Sequence, residues 1–431
     1  MSIDVHLRYE WGKFRSRLHR WRVAAASNGI GSAVDKAVRT SRTSRNGAQQ
    51  DGESPTRLPM AGSILFVDSG VPRANRDSGS LRAFNLMKLM AGDGYDVHFL
   101  AEDGADGAHA TTLRGAGVQV HRVPSTQSIP SWFAEHCVDC AAVVVARHHL
   151  ASYWIAMARH LSPRALIVFD TVDLHHLREQ REAELTGNRA LARVSGATRA
   201  RELSAIRRSD VTWVVSPTEK ALIENLVPAA RVLVLPNLHE SEPATPGPED
   251  RHGLLFVGGG RHPPNIDAAS WLLSEIFPIV RGRLPECTLE LVGEDLESQV
   301  GSGHSQAGVR FHGHVPDLGR LVSRCRVGLA PLRFGAGVKG KVNHYMAHGL
   351  PTVATPCASE GMHLEHRTDV LIADGAEAFA DAVVVLHEDQ SLWRGLAAAG
   401  KENVRRHFSF ESARAPVTDT FGPAPGHSQA R

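Results

Sequence analysis

Two hydrophobic rhythms alternate along this chain. Runs that are apolar at nearly every position recur at 63–69, 95–100, 118–123, 141–147, 165–171, 211–216 and 231–236. Between most of them lie amphipathic stretches of helical length, the clearest being GSLRAFNLMKLMAGDG from Gly79 and the charged stretch 176–209. Strands apolar on both faces, alternating with helices, predict a parallel sheet covered on both sides. The rhythm breaks at HESEPATPGPEDRHG (239–253) and restarts with runs at 253–259, 287–293, 309–313, 326–331, 351–355 and 369–374. The expectation is therefore α/β: two tandem doubly wound Rossmann-like domains, with ligands in an interdomain cleft at the carboxyl ends of the strands. The expected limits are 61–240 for the first domain, 241–252 for a linker and 253–405 for the second domain. Residues 406–431 form a tail that packs back in part or is disordered.

Residues 1–60 follow a different pattern. Ile3, Leu7, Trp11, Phe14, Leu18 and Trp21 recur at three- and four-residue steps and line one helix face. Arg8, Lys13, Arg15, Arg17, Arg20 and Arg22 fall mostly off it. A basic helix with tryptophans on its apolar side fits a segment lying in a membrane interface. It fits equally a helix docked on the protein's own core or on a second subunit. From about 27 to 60 the Ser, Gly, Arg, Asn and Gln composition reads as a flexible linker.

Composition narrows the class. With 42% hydrophobic and 22% charged residues the chain is that of a soluble globular protein. The longest apolar run, CAAVVVA (140–146), is far too short to span a bilayer, and no secretory signal stands at the start. The net charge of +2 gathers at one end, where residues 1–60 hold 11 Lys/Arg against 5 Asp/Glu, so nucleic acid is not the expected partner. Five scattered cysteines make no disulfide framework and fit a cytoplasmic setting; Cys137 and Cys140 form a lone C-x-x-C.

The junctions from strand to helix carry the chemistry, because a helix start offers free N–H groups to an anion. After the first strand, Gly79 and Ser80 open a helix suited to holding a phosphate on its amides, without the G-x-G-x-x-G of a dinucleotide site. Arg147, His148 and His149 end the fourth strand, and Asp170, Asp173, His175 and His176 end the fifth. Such a cluster suits sugar-hydroxyl binding or proton transfer, a metal site, or capping of the next helix by Asp173. In the second half, Gly259, Gly260, Arg261 and Asn265 follow a strand, with Arg261 able to pair with a phosphate. Lys339 and Lys341 stand at a helix start in GAGVKGK, where cations oppose the helix dipole by about 0.3–1 kcal/mol unless an anion lies between them. His344 follows on the first turn, and Glu360, Gly361 and Met362 form the next turn.

Together, DSGVPRANRDSGSLRAFNLM, FDTVDLHHLREQREAEL, VVSPTEKALI, LPNLHE, LLFVGGGRHPPNIDA and the stretch from Phe334 to Asp374 resemble the retaining glycosyltransferases of family 4, which have the GT-B fold. They look most like the branch acting in bacterial surface polysaccharide assembly. The resemblance spans about 62–405. It implies a hexosyl- or deoxyhexosyltransferase that takes a nucleotide-diphosphate sugar on the second domain and a glycan or lipid-linked acceptor on the first. It implies no cofactor and no metal for the chemical step, and a departing phosphate that takes the acceptor's proton. Arg261, Lys339 and Lys341 would meet the diphosphate and position 344 the ribose. Gly79, Ser80, Gly259, Gly260, Asn265, Glu360, Gly361 and Met362 would complete the donor site, with Arg147, His148 and Asp170 at the acceptor and Asp173, His175 and Lys341 in catalysis. The chain departs from the family where many members carry glutamates eight positions apart: it has Ala336 and His344. The competing readings are a nucleotide-sugar epimerase of the same fold and a non-catalytic nucleotide-sugar-binding subunit.

Overall fold

The computed structural model describes residues 3–45, 62–104, 107–242, 245–301 and 307–424. The chain forms two compact units. One comprises Met1–Arg73, Ala83–Leu235 and Ala415–Arg431; the other comprises Ala74–Arg82 and Pro236–Arg414. The units thus interleave at two short segments rather than dividing at a single cut near 239–253.

In the first part of the chain the elements are α1 (Ile3–Arg45), β1 (Ile64–Asp68), α2 (Ser78–Gly92), β2 (Val97–Ala101), α3 (Ala108–Gly115) and β3 (Gln119–His121). There follow α4 (Ile129–His136), β4 (Ala142–Ala146), α5 (His148–Leu161), β5 (Leu166–Asp170), α6 (His175–Thr186), α7 (Arg189–Arg208), β6 (Val211–Val214), α8 (Pro217–Leu226) and β7 (Val232–Val234). The sheet is parallel, in the order β3-β2-β1-β4-β5-β6-β7. Its central strands are buried almost throughout, as their unbroken apolar runs require. Side-chain caps start the helices where the sequence supplies them: Ser128, Asn188 and Ser216 accept from the amides of Ser131, Leu191 and Glu219.

The second alternation gives β8 (Leu254–Val257), α9 (Pro263–Trp271), α10 (Phe277–Arg283), β9 (Leu289–Val292), α11 (Leu296–Val300), β10 (Val309–Phe311) and α12 (Leu318–Val322). It continues with β11 (Val327–Ala330), α13 (Gly340–Ala347), β12 (Thr352–Ala354), α14 (Pro356–Ser359), β13 (Leu371–Ile372), α15 (Ala376–Glu388), α16 (Gln390–His407) and α17 (Phe410–Phe421). This sheet is also parallel, in the order β10-β9-β8-β11-β12-β13. Both sheets reverse strand order once, between β1 and β4 and between β8 and β11, and ligands of such sheets bind beyond the carboxyl ends at that reversal.

Two expectations about the ends change. The segment read as linker from 27 is helical as far as Arg45, and residues 46–61 lie outside the described ones. The tail is a helix, α17, up to Phe421: Trp213 Nε1 donates to Thr420 Oγ1 at 3.0 Å and Tyr95 Oη to the Gly422 carbonyl at 2.5 Å.

α1 docks on α5 and α7, and not through the stripe the periodicity picked out. Val5, Tyr9, Ser16 and His19 are its buried positions. Tyr9 Oη donates to Glu102, a carboxylate that also takes Tyr153 Oη (2.8 Å) and Trp154 Nε1 (3.3 Å) and pairs with Lys13 (3.5 Å). Ser16 Oγ donates to the His149 carbonyl at 2.7 Å. His19 Nε2 lies 2.9 Å from the Thr198 hydroxyl, and burial holds its pKa down to about 4.

Candidate functional site

At the reversal point of the second sheet, three strand-to-helix loops are pressed together. A Cβ on Gly258 would meet Asn265 Cγ at 2.7 Å, one on Gly260 the Asp295 carbonyl oxygen at 2.4 Å, and one on Gly293 the Gly258 carbonyl oxygen at 2.0 Å. These glycines are dictated by backbone contact. Gly259 is not; its Cβ would have ordinary room.

Asn265 ties the loops to one another. Its Nδ2 donates to the Gly259 carbonyl (3.3 Å) and its Oδ1 accepts from Lys341 Nζ (2.8 Å). The Lys341 ammonium also lies 4.2 Å from the centre of the Phe256 ring. Among the described residues no carboxylate pairs with it, and burial, with the neighbouring Lys339 second, pulls its pKa down to about 7. Lys339 is the N-cap residue of α13 and folds back, its Nζ donating to the carbonyls of Gly337 (2.6 Å) and Ala336 (3.3 Å). Gly337, at φ 64°, gives that loop the left-handed turn it needs. As N-cap residue, Lys339 makes no side-chain cap to the first amides of α13.

Inside its first turn the polar groups are short of partners. Both amide atoms of the buried Asn343, and His344 Nε2, have no hydrogen-bond partner among the described residues. His344 was expected at the ribose. Its Nε2 has no solvent access, its ring packs 4.4 Å from that of His348 and 6.5 Å from that of His239, and burial holds its pKa down to about 3. A ligand atom would have to reach that enclosed nitrogen to bond it.

Other expected donor residues are placed differently. Arg261 is 66% exposed, with its Nε on Asp295 Oδ2 at 2.8 Å and its Nη2 3.7 Å from Glu294 Oε1, so its charge already has carboxylate partners. Ser80 N–H donates to Asp77 Oδ1 at 2.8 Å; the start of α2 is capped by a carboxylate, which leaves the Gly79 and Ser80 turn poorly suited to a phosphate. The Met362 side chain is buried in the core, and its amide donates to the Ser359 carbonyl (3.2 Å). Glu360 and Gly361, the latter at φ 70°, form the turn after α14 at intermediate exposure.

At the reversal point of the first sheet, β1, β4 and β5 end side by side. Arg147 adopts φ 66° and Val172 φ 64°, backbone states that cost about 1–3 kcal/mol each and recur at functional sites. Arg147 Nε donates to Asp68 Oδ1 at 3.2 Å. Asp170 is buried, and its Oδ1 accepts from the Val172 amide (3.2 Å), so it shapes the strained turn. His148 is buried with its Nδ1 unpartnered among the described residues, its ring 4.7 Å from that of His175 and 6.1 Å from that of His19; it underlies the site rather than lining it.

Asp173 does not cap α6. It pairs with Arg178 and lies 3.2 Å from His175 Nδ1, while burial lowers the His175 pKa against the pull of that carboxylate. The cap comes from two glutamates remote in sequence. Glu202 accepts from the amides of His175 (2.8 Å) and His176 (3.2 Å) and pairs with the His176 ring, and Glu219 accepts from the Leu174 amide (3.1 Å). His148, His175 and Glu202 do set one ligand atom each within 4.8 Å of one another. Both Glu202 oxygens are engaged in capping, which marks the cluster as structural.

Sequence reasoning missed Asp68, Glu202, Glu219, Phe256 and Asn343. Only Glu219 carried a local signal, the Ser216-x-x-Glu219 capping pattern. Cys137 and Cys140 are buried free thiols whose pKa burial raises.

Against known proteins, residues 251–389 match the sequence model of the family described as glycosyl transferases group 1. Among curated proteins none matches the sequence significantly. The structure is similar to sucrose-phosphate synthase from Thermosynechococcus elongatus (TM-score 0.64, 14% identity, 83% of this chain and 98% of that one). It is similar to HepE from Anabaena, crystallised with UDP and glucose (TM-score 0.61, 14% identity, 83% and 99%). A glycosyltransferase from Rickettsia africae gives TM-score 0.62 at 11% identity, over 85% and 100%. The fold is GT-B. The group 1 match supports glycosyl transfer as the activity of this GT-B chain.

Proposed function

We propose that the chain is a retaining glycosyltransferase that moves a hexose or deoxyhexose from a nucleotide-diphosphate sugar to a glycan or lipid-linked acceptor in cell-surface polysaccharide synthesis. The observation that carries this reading is the start of α13, a helix N-terminus whose N-cap residue makes no side-chain cap, beside the half-buried Lys341, which has no carboxylate partner among the described residues. Such a site is complete only with an anion. HepE, of the same fold, binds UDP and UDP-glucose, and a nucleoside diphosphate meets the requirement.

Lys341 and the α13 amides stabilise the charge that grows on the departing diphosphate. Asn265 and Phe256 hold the ammonium in place, and Lys339 holds the loop. Arg147, with Asp68, and the Asp173–His175 pair serve the acceptor on the first unit. The departing phosphate takes the acceptor's proton, and no resident metal or cofactor is assigned. The test is incubation of purified protein with nucleotide sugars, with and without lipid-linked acceptors. Release of nucleoside diphosphate only with acceptor, and an axial or equatorial linkage that preserves the donor's anomeric configuration, is expected. Isomerised donor without acceptor, or binding without turnover, would contradict the proposal.

A further inference from the structure

The chain has seven tryptophans. Five of them, at 132, 154, 213, 271 and 393, are buried, and the two that are not, Trp11 at 61% and Trp21 at 40% exposure, both lie on the outer face of α1. They belong to a stripe of Leu7, Trp11, Phe14, Leu18 and Trp21, all exposed, with the Trp11 and Phe14 rings stacked 5.7 Å apart. This stripe is turned about 180° around the helix from the face of Val5, Tyr9, Ser16 and His19 that docks on α5 and α7. The helix is therefore anchored on one side and apolar on the other. The alternative of the stripe packing on the protein's own core is thereby answered.

From this geometry we infer that the outer face of α1 docks on an anionic lipid bilayer, with the helix lying parallel to the surface. Charge decides the occupant. Residues 3–27 carry six Lys/Arg against Asp4 and Glu10, and since the whole chain is +2, the rest of it sums to −2. Arg8, Arg15 and Arg22 are exposed and recur at seven-residue steps along one flank of the stripe, with Arg17 on the other. In a second copy packed stripe to stripe, the flanking positions would have to pair opposite charges. Asp4 pairs with Arg8 at 2.8 Å and Glu10 lies on the Arg17 flank, which leaves Arg15 and Arg22 with no acidic residue of 3–27 in their column, so the column still repels its own image. Against a bilayer the same column meets lipid phosphates while the indole and phenyl rings enter the boundary between headgroups and acyl chains. No helix among the described residues is long and apolar enough to cross a membrane, so the contact is with the surface.

The test uses the full-length protein with vesicles of phosphatidylcholine alone and of phosphatidylcholine and phosphatidylglycerol in equal parts. The protein is expected to sediment with the anionic vesicles, with a blue shift of tryptophan emission, and to remain in solution with the neutral ones. Trp11→Ser with Phe14→Ser, and separately Arg8→Glu with Arg15→Glu and Arg22→Glu, are each expected to cut binding by about tenfold or more. Neither variant touches the docked face, so circular dichroism and the melting temperature should stay at the wild-type values. Wild-type protein that ignores anionic vesicles, or variants that bind as well as wild type, would overturn the inference. So would a wild-type dimer that the Trp11→Ser variant converts to monomer while vesicle binding is absent, since that result assigns the stripe to a second copy.

Discussion

Lys341→Met is expected to lower the rate of sugar transfer by about 10- to 1000-fold while leaving the protein at least as stable as wild type at neutral pH. The two halves of that result have one cause. The half-buried Lys341 packs its ammonium against Asn265 Oδ1 and the Phe256 ring, and no carboxylate among the described residues repays its desolvation. Its pKa falls from 10.5 to about 7, so between those values the unfolded chain binds more protons than the folded one. The contribution of Lys341 to stability thus rises as pH rises from about 7 to 10.5, and below about 7 the full cost of the buried charge is present. Methionine keeps most of the side-chain volume and removes that cost. The variant's gain in melting temperature should be largest below about pH 7 and fade toward 10.5. A loss of turnover with a rise in stability separates a functional cation from a structural one. Unchanged turnover would place the diphosphate elsewhere.

The largest effect on folding is expected at Glu202. Its carboxylate lies in the interior of the first unit and serves the His175 amide, the His176 amide and the His176 ring at once. Glu202→Ala leaves those donors buried without an acceptor at the start of α6, which costs about 3–5 kcal/mol. For a unit of this size the melting temperature should fall by roughly 10 °C, read by the circular dichroism thermal transition. A fall of less than about 2 °C would show that water or another side chain replaces the cap.

The fold was legible because unbroken apolar runs and amphipathic stretches repeat locally, and each unit's parallel sheet needs only that repetition. The GAGVKGK loop was legible as a strand-to-helix junction, because its glycines and lysines stand between an apolar run and an amphipathic stretch, whereas the return of Lys339 Nζ to the Ala336 and Gly337 carbonyls was not. What escaped were pairings across long sequence separations. The apolar stripe of α1 was visible from Leu7 to Trp21. Its docking face was not, because the partners that bury Tyr9, Ser16 and His19 are Glu102, His149 and Thr198. Asp173 stands where a helix cap belongs, yet Glu202 and Glu219 arrive from α7 and α8 to do that work, and Asp173 is drawn to Arg178 instead. Arg261 read as a phosphate ligand because nothing nearby in sequence neutralises it; Asp295, at the start of the next loop, does.

The most direct measurement is calorimetric titration of UDP into the protein at about pH 8 in two buffers of different ionisation enthalpy. At that pH the diphosphate is already fully ionised, whereas Lys341, with a pKa of about 7, is mostly neutral in the free protein. A diphosphate bound at the α13 N-terminus must raise that pKa, so binding should take up close to one proton from the buffer in wild type. Lys341→Met should bind about tenfold or more weakly with no proton uptake. Equal affinity for the two proteins, with no proton taken up by either, would contradict the assignment of the diphosphate to Lys341.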